Sequence, residues 1–267
     1  MKYTVVTSFS NAGFEKYGRK FIQTFNQYWP QEVELYIYHE GIMDALFLDH
    51  HAYDIFDVPE CSHFSRRYHE DTLANGRVID KPYPWKKKCV DDKYNFRYDA
   101  YKFSKKVFAI LDVMNKVKEG KLFWVDADIV TFAPVTISFL DNLLSNDCDT
   151  CYLGRSNGGH SECGFVGYNL DNTVAWSFID YFAWVYSSSE VFKYKEWHDS
   201  YIYDKVREHM KSILTEYCIP STGRGHVFIN SILGSVMDHL KGDRKDIGRS
   251  GSSELKTTHD HMYWSKS

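Results

Sequence analysis

Lys121-Leu122-Phe123-Trp124-Val125 runs directly into Asp126-Ala127-Asp128 near the middle of the chain. The first five residues form a short apolar and aromatic run, which predicts a buried strand. Two carboxylates follow where that strand ends, and open α/β sheets bind their ligands beyond the carboxyl ends of the strands. Carboxylates at i and i+2 can share a hard divalent cation that also takes phosphate oxygens. The stretch predicts a metal and phosphate site; the alternative is a strand end followed by a solvated acidic turn.

The segments around this stretch alternate between strand and helix patterns. Apolar spacing predicts strands over residues 3–7 and 33–38, a helix from Phe14 to Tyr28 that stops before Pro30, and a long helix from Phe96 that ends before Gly120. Residues 60–95, with a Pro-Tyr-Pro-Trp run and three consecutive lysines, predict an irregular insertion. This order predicts an α/β fold with a mainly parallel central sheet and helices on both faces.

Composition excludes several classes of protein. Of the 267 residues, 43% are hydrophobic and 17% aromatic, so a substantial core is available and general disorder is excluded. The net charge of −4 provides no global basic field for nucleic acid or membrane. No signal peptide and no run of 18 apolar residues is recognisable, so we expect a cytoplasmic protein without membrane spans. The six scattered cysteines predict reduced, buried thiols.

A second motif lies about 110 residues downstream of the paired carboxylates, in the segment from His239 to Lys245. Together the two motifs resemble nucleotide-sugar glycosyltransferases of the GT-A fold, whose glycogenin-type members carry D-x-D followed by H-x-x-G-x-x-K. The resemblance implies that Asp126, Asp128 and His239 hold Mn²⁺ or Mg²⁺. It also implies that Gly242 permits close backbone approach and that Lys245 contacts the donor diphosphate. The resemblance implies retention of the anomeric configuration. Asp246-Ile247 stand where those members have Pro-Trp, so inversion stays open as the alternative.

The chain is also similar to glycosyltransferases encoded by bacteriophages. The similarity lies in Phe96–Phe103, in Trp124–Asp128 and in Ser161–Phe165. It implies transfer of a hexose or pentose from a nucleotide-sugar donor to an acceptor hydroxyl, in the host cytoplasm if the chain is phage-encoded. A hydroxymethylated base in phage DNA is one acceptor that this implies, and a glycan or protein is the other. A local basic patch could contact DNA phosphates; it comprises Arg66, Arg67, Lys81, Lys86, Lys87 and Lys88.

Other candidate residues follow from position along these elements. Arg97 and Lys102 lie near the start of the long helix, where a cation could stabilise the leaving diphosphate; Lys105 and Lys106 fit that role or a solvated helix face equally well. Thr7 and Ser8 end the first strand, where the resemblance implies nucleoside binding. On the acceptor side, Glu162 precedes an apolar run and is a candidate catalytic residue. Asp199 begins an amphipathic helix, where it could bind the acceptor, act as a general base or favour the helix dipole.

These observations predict one GT-A-like catalytic domain over residues 1–267. Residues 1–130 would form the nucleotide-sugar half, residues 131–247 the acceptor side and residues 248–267 a C-terminal extension. Two other classes compete with this prediction. Asp126-Ala127-Asp128-Ile129-Val130 also resembles the haloacid-dehalogenase phosphatase box, although that reading leaves the segment from His239 to Lys245 unexplained. A non-enzymatic nucleotide-sugar-binding module on the same scaffold is the second competitor.

Overall fold

The computed structural model describes residues 1–77, 94–155, 158–222 and 225–265. Its strands are β1 Tyr3–Phe9, β2 Val33–His39, β3 His51–Asp54, β4 Lys121–Val125, β5 Ile129–Thr131, β6 Thr150–Leu153, β7 Glu162–Asn169, β8 Glu216–Cys218 and β9 Met237–His239. Its α-helices are α1 Asn11–Gly13, α2 Arg19–Tyr28, α3 Pro59–Tyr68, α4 Ala100–Val117, α5 Ile137–Leu143, α6 Thr173–Ser187, α7 Asp199–Met210, α8 Arg244–Ile247 and α9 Met262–Ser265. A π-helical turn, Phe14–Gly18, joins α1 to α2.

Seven of these strands form one sheet in the order β3-β2-β1-β4-β7-β6-β8. Neighbouring strands from β3 to β4 are parallel, β7 is antiparallel to both of its neighbours, and β8 is parallel to β6. The remaining strands, β5 and β9, pair antiparallel in a small second sheet. The predicted α/β class and the mainly parallel sheet are therefore confirmed.

The two faces of the large sheet bury two separate hydrophobic cores. Val5 on β1 packs in one core, together with side chains of α2 and α5, whereas its neighbour Val6 packs in the other, under α3, α4, α6 and α7. Adjacent strand residues point to opposite faces, and a parallel sheet covered by helices needs apolar side chains on both. The continuous apolar run of β4 serves this arrangement, because all five of its residues are buried.

The structure corrects the prediction for residues 60–95 in part. Residues 59–68 form helix α3, which begins with Pro59 at its first position and buries Cys61 and Phe64. Proline suits the first turn of a helix because its missing N–H would have no partner there. Of the rest of the predicted insertion, residues 78–93 lie outside the described residues, and Lys81 and the three consecutive lysines lie among them.

The C-terminal residues pack beside the small sheet. The Tyr263 ring stacks on Phe132 with 4.0 Å between ring centroids, and its hydroxyl donates to Asp238 Oδ2 at 2.8 Å. Trp264 is buried and donates its indole N–H to the Gly234 carbonyl. The C-terminal residues thus stabilise β9, which carries the histidine of the second motif.

Candidate metal and donor site

Backbone pairing brings the two sequence motifs together at the carboxyl end of β4. The Asp126 N–H donates to the Gly164 carbonyl at 2.8 Å, and the Ile129 N–H donates back to Asp126, so the chain turns tightly after the strand. In the small sheet Ile129 lies opposite His239, and the Leu240 N–H donates to the Asp128 carbonyl at 2.9 Å. This register places the histidine beside both carboxylates.

The three predicted metal ligands form one cluster. His239 Nε2 lies 3.0 Å from Asp128 Oδ1 and 3.5 Å from Asp126 Oδ2. One potential ligand atom from each residue lies within 4.8 Å of the other two. The imidazole is buried, while Asp126 is 30% exposed. The cluster therefore has a buried side formed by the histidine and an open side at the carboxylates.

The donor atoms of this cluster fit a divalent metal ion. Both ring nitrogens of His239 are buried and neither has an aligned hydrogen-bond partner in the described part of the chain, although carboxylate oxygens lie close to each. Imidazole nitrogen and carboxylate oxygen are ligand types that Mn²⁺, Zn²⁺ and related ions accept. Burial lowers the pKa of His239, but Asp128 raises it to about 9. A metal ion would therefore replace a proton there.

Trp124 and Lys106 contact the Asp126 carboxylate on the side that faces the protein interior. The Trp124 indole N–H donates to Asp126 Oδ1 at 2.6 Å, and Lys106 Nζ lies 3.3 Å from the same oxygen. Oδ2 of Asp126 is the oxygen that faces His239. This arrangement orients the carboxylate with one oxygen toward the cluster and one toward the protein interior, as outer contacts of metal ligands do.

The structure distinguishes Lys105 from Lys106, which the sequence left open between a cation of the site and a solvated helix face. Its side chain is 8% exposed, and its Nζ lies 2.7 Å from Asp199 Oδ2 as well as beside Asp126. It also donates to the Cys163 carbonyl. Burial would lower the pKa of Lys106, but Asp126 and Asp199 raise it above its usual value. This ammonium group is therefore a fixed charge in the site, whereas Lys105 pairs with Glu40 at 2.8 Å.

Arg97 and Lys102 contact residues outside the three predicted metal ligands. Arg97 lies in a 3₁₀ turn, Phe96–Tyr98, and pairs with Glu196 at 3.3 Å. Lys102 is exposed, with its Nζ 5.6 Å from the centroid of the Phe103 ring. The cation that α4 directs toward the cluster is Lys106, which lies three residues after Phe103. A three-residue spacing from an apolar helix position is the sequence signal that could have indicated its burial.

The two acceptor-side acids are both buried and paired. Glu162 Oε1 lies 3.4 Å from His239 Nδ1, and its carboxylate also contacts Lys241 Nζ at 2.6 Å and Arg155. Burial would raise the pKa of Glu162, but Lys241, His239 and Arg155 hold it well below its usual range. Burial likewise opposes ionisation of Asp199, while Lys106 keeps its pKa lowered. Both acids are therefore permanent anions at neutral pH.

Of the residues predicted to bind the donor, Lys245 contacts the metal cluster. Lys245 Nζ is 2.8 Å from Asp128 Oδ2 and 4.7 Å from the centroid of the Tyr17 ring. Gly242 has a φ of +61°, which favours glycine, and no other group lies within 4 Å of the position where its Cβ would be. Thr7 is fully buried near the end of β1, and its hydroxyl has no hydrogen-bond partner among the described residues. Ser8, the next residue, is half-buried.

Comparison with solved structures finds the same architecture in glycosyltransferases. A glycosyltransferase involved in the glycosylation of the major capsid of PBCV-1 aligns over 92% of this chain and 100% of its own, with a TM-score of 0.52 and 10% sequence identity. Mouse xyloside xylosyltransferase 1 aligns over 82% of this chain and 85% of its own, with a TM-score of 0.49 and 12% identity. The chain therefore has a GT-A-like fold, with a mixed, mostly parallel sheet between layers of helices.

Comparison of sequences adds no family. No family model matches the chain, and no curated protein matches it significantly. Among the described residues, no helix has the length and apolar character needed to cross a membrane. Function must therefore be inferred from the site rather than from descent.

Proposed function

We propose that the chain is a metal-dependent glycosyltransferase that moves a sugar from a nucleoside-diphosphate sugar to an acceptor hydroxyl. The observation that supports this most directly is the cluster of Asp126, Asp128 and His239, at the carboxyl end of a central strand in a GT-A-like fold. In such a sheet this is the edge where ligands bind. The donor class rests on that position and on the fold of the neighbouring structures.

The side chains of the cluster would hold Mn²⁺ or Mg²⁺, which supplies Lewis-acid stabilisation to the departing diphosphate. Lys245 would neutralise charge on the same group, because its ammonium already lies 2.8 Å from Asp128 on the open side. Thr7 and Ser8 would contact the nucleoside at the end of β1. Gly242 would allow the diphosphate to approach the backbone. We assign Arg97 and Lys102 no contact with the diphosphate, since Lys106 is the α4 cation at the cluster.

Asp199 and Glu162 would shape the acceptor side of the site. Asp199 is the first residue of α7 and reaches the cluster through Lys106, whose Nζ lies between Asp199 and Asp126. Glu162 supports the imidazole of His239 from behind. Both carboxylates are buried and paired with cations among the described residues, so we propose that they position the reacting groups and fix the local charge. We propose retention of configuration on the basis of the segment between His239 and Lys245 alone. The donor screen described below determines whether the sugar is a hexose or a pentose.

The acceptor is proposed to be a hydroxymethylated base in phage DNA, with a glycan or protein as the alternative. Arg66 and Arg67 are exposed in the last turn of α3, and the lysines at positions 81 and 86–88 follow on the chain outside the described residues. Six basic residues in one region of an acidic chain suit a phosphate backbone.

Binding and turnover measurements test the class of enzyme. We expect calorimetric titration to show that a nucleoside diphosphate binds much more tightly with Mn²⁺ than without it. Asp128→Asn should abolish that difference, whereas Asp180→Asn, on the exposed side of α6, should preserve it. A screen of nucleotide sugars for metal-dependent hydrolysis then identifies the donor. Equal affinity with and without Mn²⁺ would contradict a metal-bridged diphosphate, and hydrolysis of simple phosphate esters instead would favour the phosphatase class. Tight metal-dependent binding with no turnover of any donor would indicate a binding module.

A salt titration separates DNA from the other acceptors. If the basic residues grip a duplex, the logarithm of the affinity should fall with the logarithm of salt concentration by roughly 0.9 per phosphate neutralised. Replacing Lys86, Lys87 and Lys88 together by Ala should flatten this dependence and slow transfer to DNA, while metal-dependent donor hydrolysis persists. Normal transfer to DNA by the triple variant would show that these lysines are not part of the acceptor site.

A further inference from the structure

A second group of metal-binding side chains lies outside the cluster already described. His160 precedes β7, Glu196 lies between α6 and α7, and His198 immediately precedes α7. His198 Nε2 is 3.0 Å and His160 Nε2 is 3.4 Å from the same oxygen, Glu196 Oε2. One potential ligand atom from each residue lies within 4.8 Å of the other two.

The kind and exposure of these side chains suit a transition metal. Two imidazoles and one carboxylate make a donor set that binds Zn²⁺ in proteins with a fourth position left to water or substrate. Glu196 and His198 are each 7% exposed, while the His160 side chain is 36% exposed. A metal ion would thus have two buried ligands and one ligand at the surface, which leaves an entry path.

Neighbouring charges contact two of the three proposed ligands, Glu196 and His160. Arg97 pairs with Glu196 Oε1 and so leaves Oε2 directed at the two histidines. Nδ1 of His160 faces the carboxylate of Asp204 at 3.7 Å. In a metal-bound histidine, the ring nitrogen that does not bind the metal usually faces a carboxylate. That carboxylate fixes the orientation of the ring and raises the basicity of the imidazole. Such contacts distinguish this group from a chance meeting of polar side chains.

Aromatic rings enclose the same side chains. The His198 ring lies 5.4 Å from the centroid of Phe96 and 5.9 Å from that of Phe103, while the His160 ring lies 5.0 Å from that of Tyr201. These rings restrict rotation of both imidazoles and exclude water from part of the group. Binding of an ion would therefore require little reordering of its ligands.

We propose that His160, Glu196 and His198 form a second divalent metal site with a preference for Zn²⁺. The site would join the segment before β7 to the start of α7. Each of these elements also reaches the first cluster: Glu162 contacts His239, and Asp199 contacts Lys106. The second ion would therefore hold the two buried acids of the acceptor side in register, without contacting the donor. This proposal does not depend on the reaction proposed above.

Cobalt spectroscopy distinguishes this site from the first one. The experiment uses a protein with Asp126→Asn and Asp128→Asn, which removes the carboxylates of the first cluster. Titration with Co²⁺ should give one bound equivalent with the intense visible absorption of a tetrahedral ion, and Zn²⁺ should displace it. Adding His160→Ala should weaken Co²⁺ binding by at least about 100-fold, beyond the effect typical of losing an outer contact. His63→Ala, at an exposed histidine of α3, should leave it unchanged.

Three outcomes would overturn the proposal. The first is failure of the doubly substituted protein to bind an equivalent of Co²⁺ or Zn²⁺, and the second is unchanged affinity and spectrum after His160→Ala. Glu196→Gln provides a second test with a nearly isosteric side chain, and circular dichroism of each variant verifies folding. If Glu196→Gln stays folded and still binds Co²⁺ with the same spectrum, the group is only a hydrogen-bonded network between α6 and α7.

Discussion

Lys106→Met replaces the buried ammonium of Lys106 by a similarly shaped but uncharged side chain. The substitution removes the ammonium that pairs with Asp199 at 2.7 Å and leaves that carboxylate 9% exposed without its cation. Removing one partner of a buried ion pair costs about 3–5 kcal/mol, because the other charge stays buried and unpaired. Loss of the contact with Asp126 adds little to this free-energy cost, since Asp126 is 30% exposed and keeps its hydrogen bond from Trp124.

Urea unfolding followed by fluorescence measures this loss. For a chain of this size an m-value of about 3 kcal/mol/M converts that loss into a midpoint lowered by about 1–1.7 M. Lys102→Met, at an exposed position one turn earlier on the same helix, should change the stability by less than about 0.5 kcal/mol. These two lysines are four residues apart, so the comparison isolates burial from helix propensity.

A double variant tests whether the ion pair itself is responsible. Adding Asp199→Asn to Lys106→Met removes both charges, so the double variant should be more stable than the sum of the two single losses predicts, with a coupling of about 0.5–3 kcal/mol. The reasoning is refuted if Lys106→Met unfolds at the wild-type midpoint, or if the two losses simply add. Either result would mean that Lys106 and Asp199 do not depend on each other.

Three further substitutions test the site and its supporting sheet. Gly164→Ala should abolish metal-dependent nucleotide binding, because a Cβ there would lie 2.4 Å from His239 Cε1; titration with Mn²⁺ checks this. Trp124→Phe removes a hydrogen bond behind a metal ligand and should weaken Mn²⁺ affinity by about 10–100-fold in the same assay. Asp141→Asn unpairs the buried ammonium of Lys121 and should cost about 1–2 kcal/mol in urea unfolding at pH 7. Burial opposes ionisation of Asp141, but Lys121 lowers its pKa, so this contribution is present above the usual carboxyl pKa and is lost as the pH falls through the lowered one.

Matched controls accompany these three variants. Gly251→Ala meets neighbouring atoms only at 3.5 Å or more and should bind metal normally. Trp184→Phe changes a tryptophan that is 47% exposed, and Asp180→Asn changes an exposed carboxylate of the same helix. Metal affinity unchanged by Gly164→Ala would place His239 outside the metal site. If Trp124→Phe and Trp184→Phe lower the Mn²⁺ affinity equally, the effect of Trp124→Phe is nonspecific. If Asp141→Asn and Asp180→Asn lower the stability equally, the effect of Asp141→Asn is nonspecific.

Local patterns predicted the parts of the fold that depend on local chemistry. Strand β4 and the long helix α4 were both predicted from apolar spacing, because burial on two faces of a sheet or on one face of a helix leaves a periodic pattern of apolar residues. Helix α4 begins at Ala100 rather than at the predicted Phe96, which lies in a 3₁₀ turn. Helix α3 was missed although Pro59 marks its first turn, since the proline- and lysine-rich residues further along dominated the composition of that region.

The contacts of the site depended on distances that no local pattern encodes. Lys106 is one of the buried residues of α4, yet its pairing with Asp199 joins residues from two helices that are far apart in sequence. The grouping of His160 with Glu196 and His198 arises in the same way, because β7 and the start of α7 meet only in the folded chain. The D-x-D and the later histidine could be connected beforehand only through a family resemblance.

The pairing of β5 with β9 has a consequence for how the protein is made. Asp126 and His239 lie about 110 residues apart, so a nascent chain emerging from the ribosome can form β1, β2 and β4 long before it can complete the metal cluster. Closing a loop of that length costs about 4 kcal/mol of chain entropy. An ion shared by the two ends would offset this cost as a reversible cross-link. Metal supply during synthesis would then influence the yield of folded protein as well as its activity.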